Sequence, residues 1–169
     1  MFVDRYFVTM FAQDLEAIDS GRVPGWVRTG DSMRVWINNY YNPGDEEIGP
    51  HAQPEGLLPV CRLFLPPPQG PSHFFSASLD ECALALRNIP GLILETDQAF
   101  LAFLPDTATG TCAQYASPVY RLWNPKEAMS HRFTPSKAAR DAMVERGWVS
   151  EGWGQDGVAM CTFGYREAP

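Results

Sequence analysis

Apolar and polar side chains alternate along two short stretches of the chain in the way that is typical of β-strands. Residues 59–64 read PVCRLF and residues 118–123 read PVYRLW, and both are rich in β-branched and aromatic side chains. The aromatic residues after His73 and His131 predict a second strand in each region. Two further strands are predicted later in each region, the first within residues 91–95 and 147–151 and the second at residues 99–103 and 158–161.

Start and stop signals predict three short helices. Residues 78–88 open with the capping-box pattern S-L-D-E and form the first of these helices in our interpretation. Thr134 as N-cap and Pro135 in the first turn predict a helix that ends before Gly147. A shorter helix is predicted at residues 14–20.

The elements recur in a fixed order, which indicates an internal repeat. Three blocks return downstream at offsets of 59, 58 and 56 residues: PVCRLF as PVYRLW, SHFF as SHRF, and GLILE as GWVSE. A more degenerate copy lies at the N-terminus, where residues 25–27 keep the Gly-Trp-Val of the last block.

We therefore predict one α+β domain, residues 1–169, built from three pseudo-symmetric ββαββ repeats around a common axis, in a trefoil-like or small propeller-like arrangement. The repeats cover residues 1–50, 55–105 and 112–165. One copy of about 50 residues cannot bury both faces of four short strands, so three copies are expected to assemble.

Charge and motif content argue against several classes of function. Thirteen Lys and Arg against twenty Asp and Glu give a net charge of −7, which would repel nucleic acid. No stretch reaches the roughly 18 uninterrupted apolar residues of a membrane helix. The cysteine spacings fit no metal site, and neither a nucleophile elbow nor a Gly-rich phosphate loop occurs. We predict no metal, no cofactor and no enzyme activity.

One Arg, one His and one Glu recur together in the second and third copies. The first polar set is Arg62, His73 and Glu95, and the second polar set is Arg121, His131 and Glu151. Polar groups repeated at matched positions usually tie strands together, which predicts that each histidine contacts the Glu or Arg of its own set. Ligand binding and, as the least favoured option, acid–base catalysis are the alternatives, because a carboxylate-tuned histidine serves both.

Aromatic residues that do not repeat are the other candidates for ligand contact. A sugar ring could stack on such side chains near loops, although packing is the more frequent role of an aromatic residue. The candidate ligand-binding residues are Tyr40, Tyr41, Trp123, Asn124 and Trp153.

Four cysteines allow three pairings, and their positions favour one of them. Cys61 and Cys82 both lie in the second copy, and no cysteines of the third copy mirror them, so we pair them with each other. Cys112 and Cys161 then bracket the third copy. Disulfides persist in oxidising compartments, so this pairing predicts a secreted or cell-surface protein, although residues 1–5 show no signal peptide.

The best-preserved copy consists of residues 118–125 (PVYRLWNP), 131–134 (HRFT) and 147–152 (GWVSEG). These blocks resemble the bacterial and fungal repeat of unknown function DUF5648, whose pattern is P-V-Y-R-L-Y-N-P, H-F-Y-T-T, a helix and G-W-x-x-E-G. The second copy departs from the pattern with Leu92 for Trp and Thr96 for Gly. The resemblance implies an accessory module beside cell-wall hydrolases and other exported proteins.

From these observations we expect a non-catalytic exported binding module that recognises a cell-wall or other extracellular glycan, or a cell-surface protein. The alternative is a structural or assembly module of a larger secreted protein, with no ligand of its own. Nucleic acid and membrane insertion are not expected.

Overall fold

The computed structural model describes residues 6, 8–9, 11–36, 54–68, 70, 72–127 and 130–163. Within these residues the chain forms seven strands and three helices, all of them short. In chain order they are α1 (Ala12–Asp19), β1 (Leu58–Leu65), β2 (Ser72–Ser76), α2 (Leu79–Asn88), β3 (Ile93–Ala102), β4 (Ala116–Trp123), β5 (His131–Thr134), α3 (Lys137–Glu145), β6 (Val149–Glu151) and β7 (Val158–Phe163). No helix of the described residues is long and apolar enough to cross a membrane.

The strands form two antiparallel sheets. The first sheet has the order β2-β1-β3. In the second sheet β4 is central, β5 lies on one side of it, and β6 and β7 pair with successive parts of its other side. In both sheets the central strand is therefore the one whose alternating pattern is clearest in the sequence.

The predicted threefold ββαββ fold is wrong. Among the described residues, the N-terminal part contributes α1 and two single bridges, Arg34 with Phe163 and Trp36 with Leu101, rather than four strands. The protein is instead mostly β-sheet, with two sheets of three and four strands and three short helices.

The first sheet also lacks the fourth strand predicted for its copy, because β3 runs as one strand of ten residues across a register shift near Arg62. In the second sheet, glycines with positive φ separate β6 from β7. A side chain at Gly152 would bring its Cβ within 2.6 Å of the Val158 carbonyl oxygen. Glycine therefore allows the tight turn over residues 152–157, whereas the corresponding part of β3 contains no glycine and stays extended.

Serine residues cap the two longer helices. Ser78 Oγ accepts a hydrogen bond from Glu81 N at 3.3 Å, as the capping-box pattern predicts. The predicted N-cap at Thr134 is wrong, because Ser136 caps α3 by accepting from Ala139 N at 3.1 Å. Thr134 instead belongs to β5, and its Oγ1 accepts from Ser136 N.

Both sheets contribute to one hydrophobic core. Phe75 of β2 packs edge-on against Phe133 of β5, with 5.4 Å between ring centroids. The chain also joins the sheets by backbone hydrogen bonds between Phe103 and Cys161, at 3.0 and 2.8 Å. The buried residues of this core are Val60, Phe75, Ala77, Phe100, Ala102, Val119, Phe133, Ala159 and Met160.

Both predicted disulfides are present. Cys61 of β1 bonds to Cys82 of α2 and holds that helix against its own sheet. Cys112 bonds to Cys161 of β7 and so links the segment before β4 to the strand that pairs with the first part of β4.

Candidate functional site

The first polar set lies across all three strands of the first sheet. Arg62 Nε lies 2.8 Å from Glu95 Oε2, and His73 Nε2 lies 3.3 Å from the same oxygen. The ring of His73 stacks on that of Phe64, with 4.7 Å between centroids. The contact predicted for this set is therefore present.

The surroundings of His73 lower its pKa below the ordinary value of 6.5 and so favour the neutral imidazole. Burial is the largest cause that lowers the pKa of His73, and the positive charge of Arg62 acts in the same direction. The carboxylates of Glu95 and Asp14 oppose this shift without reversing it. A neutral imidazole can still donate its Nε2–H to Glu95, so the contact survives without charge on the histidine.

The second polar set repeats this geometry in a more buried setting. His131 Nε2 lies 3.0 Å and Arg121 Nε lies 3.3 Å from Glu151 Oε2. Burial acts to raise the pKa of Glu151, but the hydrogen bond with His131 and the charges of His131 and Arg121 lower it overall. The predicted histidine contact is present in this set as well.

Glu81 extends the second polar set across to the first sheet. Arg121 donates two hydrogen bonds to the Glu81 carboxylate, at 3.0 Å from Nη1 and 2.7 Å from Nη2. Ser76 Oγ also donates to Glu81, at 2.6 Å. Burial opposes ionisation of Glu81, but these hydrogen bonds and the Arg121 charge lower its pKa below the ordinary value. The first turn of α2 is thus bound to β4.

An open cleft of about 540 Å³ lies over this junction. Its floor is the Arg121–Glu81 pair, one wall is the outer face of α2, and the other wall is the turn after β6. The residues that line it are Asp80, Glu81, Ala83, Leu84, Arg87, Arg121, Gly152 and Trp153.

Trp153 is presented to the cleft from a rigid turn. Its backbone exchanges two hydrogen bonds with Val158, at 2.9 and 3.0 Å. A neighbouring loop packs so closely that a Cβ on Gly110 would lie 2.5 Å from the Trp153 carbonyl oxygen. Because Cys112 follows this loop and bonds to Cys161 of β7, the disulfide anchors the same region. The backbone of Trp153 is therefore held in place without a contribution from any ligand.

The cleft is lined by equal numbers of acidic and basic side chains. Arg121 is already bound to Glu81, which leaves Asp80 and Arg87 as the two charged side chains on the α2 wall. Leu84, between them on the same wall, is half exposed. The cleft therefore offers one aromatic ring, one aliphatic side chain, one anion and one cation.

Of the five predicted ligand-binding residues, the structure places Trp153 in the cleft. Trp123 lies in β4, opposite His131 and Val149, and does not line the cleft. Asn124 Oδ1 accepts from Lys126 N at 3.1 Å and so stabilises the turn after β4. Tyr40 and Tyr41 lie outside the described residues.

The contribution of α2 to the cleft was not predicted from the sequence. Asp80, Leu84 and Arg87 are spaced at i, i+4 and i+7, which places them on one face of a helix. That spacing was visible in the sequence, but the position of the turn that faces it was not. Within the described residues, no group of three or more His, Cys, Asp or Glu side chains could hold a metal ion.

The chain matches one known protein family. Residues 32–158 match the model of a family described as a domain of unknown function, DUF5648. The chain has no significant match among curated proteins or among solved structures. Because the matched region covers most of the 169 residues and carries both polar sets and the cleft, the chain belongs to the DUF5648 family.

Proposed function

We propose that the protein is a non-catalytic binding module that holds a glycan in the cleft between α2 and the turn after β6. The observation that carries this proposal is the position of Trp153, a partly exposed indole on a rigid turn that faces charged side chains across an open cleft. Binding sites commonly combine an aromatic surface with a few fixed polar groups.

The side chains of the cleft are those that a sugar requires. The flat apolar face of a pyranose ring can lie on the Trp153 indole, as expected of an aromatic side chain with one apolar and one polar region. Ring hydroxyls both donate and accept, so they can pair with the Asp80 carboxylate and with the Arg87 guanidinium. The balanced charge of the cleft favours a neutral sugar, and the net charge of −7 disfavours polyanions.

Two features support a location outside the cytoplasm. Each sheet carries one disulfide, and such bonds persist in oxidising compartments. The motifs of residues 118–125 and 147–152 resemble those of accessory modules of exported proteins. A cell-wall or other extracellular glycan is therefore the ligand class that we propose.

The test is a screen of the full chain on immobilised glycans and peptidoglycan, followed by titration of the best soluble fragment with tryptophan fluorescence for the unaltered protein and isothermal titration calorimetry for every variant. We expect quenching on binding to the unaltered protein. Calorimetry, which does not depend on the missing tryptophan, should show a loss of affinity of at least tenfold in Trp153→Ala. Trp123→Phe is the matched control, because Trp123 lies outside the cleft and the first sheet has Phe64 at the equivalent register position.

Two results would contradict the proposal. Equal affinity in Trp153→Ala and the unaltered protein would place the site elsewhere. Absence of binding to every glycan on the screen would favour the alternative, a structural module without a ligand.

A further inference from the structure

A second cavity, of about 380 Å³, lies between the first sheet and the N-terminal segment. It is distinct from the cleft at Trp153, and the two share no lining residue. Most of its lining is apolar, supplied by Val8, Phe11, Met33, Phe75, Ala99 and Phe100.

The size of the cavity exceeds what a packing defect would leave. An engineered apolar cavity of about 150 Å³ is large enough to bind benzene. A volume of about 380 Å³ therefore accommodates a molecule with one or two rings. Phe75 and Phe100 are almost fully buried and belong to the shared core, so this wall is a firm surface.

The rest of the cavity lining is polar. The Arg62–Glu95 pair lines the cavity together with Thr9, Thr96 and Gln98. The buried Arg62 Nε lies 2.8 Å from Glu95 Oε2 but makes no hydrogen bond of acceptable geometry. The cavity thus places a donor-rich guanidinium and an acceptor carboxylate side by side in a lining that is otherwise mostly apolar.

The apolar lining and the Arg62–Glu95 pair together indicate which kind of ligand the cavity can bind. A phenolic hydroxyl can donate to a carboxylate and accept from a guanidinium at the same time. The Arg62–Glu95 pair has no net charge, so a carboxylate attracted by Arg62 is repelled by Glu95, and an amine attracted by Glu95 is repelled by Arg62. A charged ligand therefore gains little there to offset its desolvation, whereas an uncharged hydroxyl loses little on entering. The aromatic walls favour a flat apolar body, because offset and edge-on ring contacts add to the burial of apolar area.

We propose that this cavity binds a small, uncharged, hydroxylated aromatic compound, with the ring against the apolar wall of Phe75, Phe100 and Met33 and the hydroxyl at the Arg62–Glu95 pair. The site is independent of the glycan cleft. A binding module of this kind therefore has two sites of different chemistry: one combines the Trp153 ring with charged side chains of α2, and the other is mostly apolar.

The test uses 2-naphthol as the probe with the full chain, followed by fluorescence of the probe and by ligand-observed NMR. We expect saturable binding, and at least tenfold weaker binding of naphthalene, which lacks the hydroxyl. Ala99→Phe should fill the cavity and weaken 2-naphthol binding at least tenfold. The matched control is Ala83→Phe, which fills the other cleft and should leave 2-naphthol binding unchanged.

The outcomes separate this proposal from the glycan proposal. Binding of 2-naphthol that is unchanged in Ala99→Phe, or no binding to the unaltered protein, overturns the cavity assignment. Glycan binding that is unchanged in Ala99→Phe is expected, because the two sites share no lining residue. Circular dichroism verifies that each variant is folded, and Ala99→Leu replaces Ala99→Phe if the larger side chain prevents folding.

Discussion

The first and second sheets carry the same three polar residue types at matched positions, yet the arginine and the histidine of the second set are more buried, while the two glutamates are similarly exposed. The Arg121 side chain is 7 % exposed and that of Arg62 is 18 % exposed. The histidines follow the same trend, with 6 % for His131 and 18 % for His73. Similar local sequence therefore leads to different environments.

The difference comes from the helix that precedes each arginine. Arg121 meets α2, whose Glu81 binds it through two hydrogen bonds, and it lies 4.9 Å from the Phe74 ring centroid. Arg62 meets the start of α1, where it lies 5.8 Å from the Phe11 ring centroid, and Phe11 is half exposed. Contacts with the Glu81 carboxylate and the buried Phe74 ring cover Arg121. Arg62 is more exposed, because its aromatic neighbour Phe11 is itself half exposed.

The largest expected effect concerns the disulfides, which differ between the sheets in the length of chain that they close. Cys112 and Cys161 are 49 residues apart, and Cys61 and Cys82 are 21 residues apart. In the chain-entropy model, loops of these lengths stabilise the fold by about 4 and about 3 kcal/mol. We expect Cys112→Ala/Cys161→Ala to lower the free energy of unfolding more than Cys61→Ala/Cys82→Ala does, as measured by urea unfolding.

Mass spectrometry of the alkylated variants should show that the remaining bond is intact in each case. Equal losses in the two double variants would mean that loop length does not set their contributions. Four free thiols in the unaltered protein would contradict both bonds.

A smaller effect is expected when the arginines are removed. Arg121→Ala leaves the Glu81 and Glu151 carboxylates without their shared partner, and we expect a loss of about 3 kcal/mol in the free energy of unfolding. This value is at the low end for a buried ion pair, because both carboxylates keep about a third of their side chains exposed. Arg62→Ala affects one carboxylate at a more open site, so a loss of about 1 kcal/mol is expected.

Urea unfolding of the two variants checks this order, and Glu81→Gln serves as the discriminating control. Glu81→Gln removes the carboxylate charge that Arg121 contacts and that Arg62 lacks. Adding Arg121→Ala to this variant should therefore lower the free energy of unfolding by less than Arg121→Ala does in the unaltered protein. If the two arginine variants lose the same stability, the contact with Glu81 does not distinguish the two junctions.

The smallest effect is the dependence of stability on pH. The folded pKa of His73 is lowered from 6.5, so the unfolded chain binds more protons below that pH and stability falls on acidification. The folded pKa values of Glu81 and Glu151 are lowered from 4.5, so their contribution is present above pH 4.5 and is lost as the pH falls through the folded pKa values. All three groups thus act in the same direction.

Urea midpoints measured between pH 8 and pH 4 should therefore decline in two stages. His73→Gln should remove the stage that begins near pH 6.5, and Glu81→Gln should reduce the stage below pH 4.5. Stability that rises on acidification through either range would contradict the direction of these pKa shifts.

Local residue patterns were sufficient for several parts of the fold. Alternation identified the central strands β1 and β4, and Ser78 with Glu81 identified the start of α2. Local residue patterns were insufficient where two neighbouring residues could both cap the same helix. Thr134 and Ser136 are both good N-caps, and the pairing of Thr134 with Tyr120 in the second sheet left Ser136 to cap α3.

The candidate site was predictable only in part, for a similar reason. The contacts of His73 and His131 follow from strand pairing within one sheet, which the repeat in the sequence indicated. The role of Glu81 depends on contact with Arg121, 40 residues away and in the other sheet. Nothing in the spacing of these two residues indicates that contact.

The sequence by itself determined the positions of the central strands β1 and β4, the two cysteine pairs and the residues of each polar set, because these depend on short-range periodicity and on matched spacing. Only the tertiary structure decided how many strands each sheet has, which side chains close the Arg121 junction and which tryptophan faces a cleft. These features depend on how segments far apart in the chain pack together. Such packing is governed by the shape and burial of whole surfaces, which no local pattern of residues specifies.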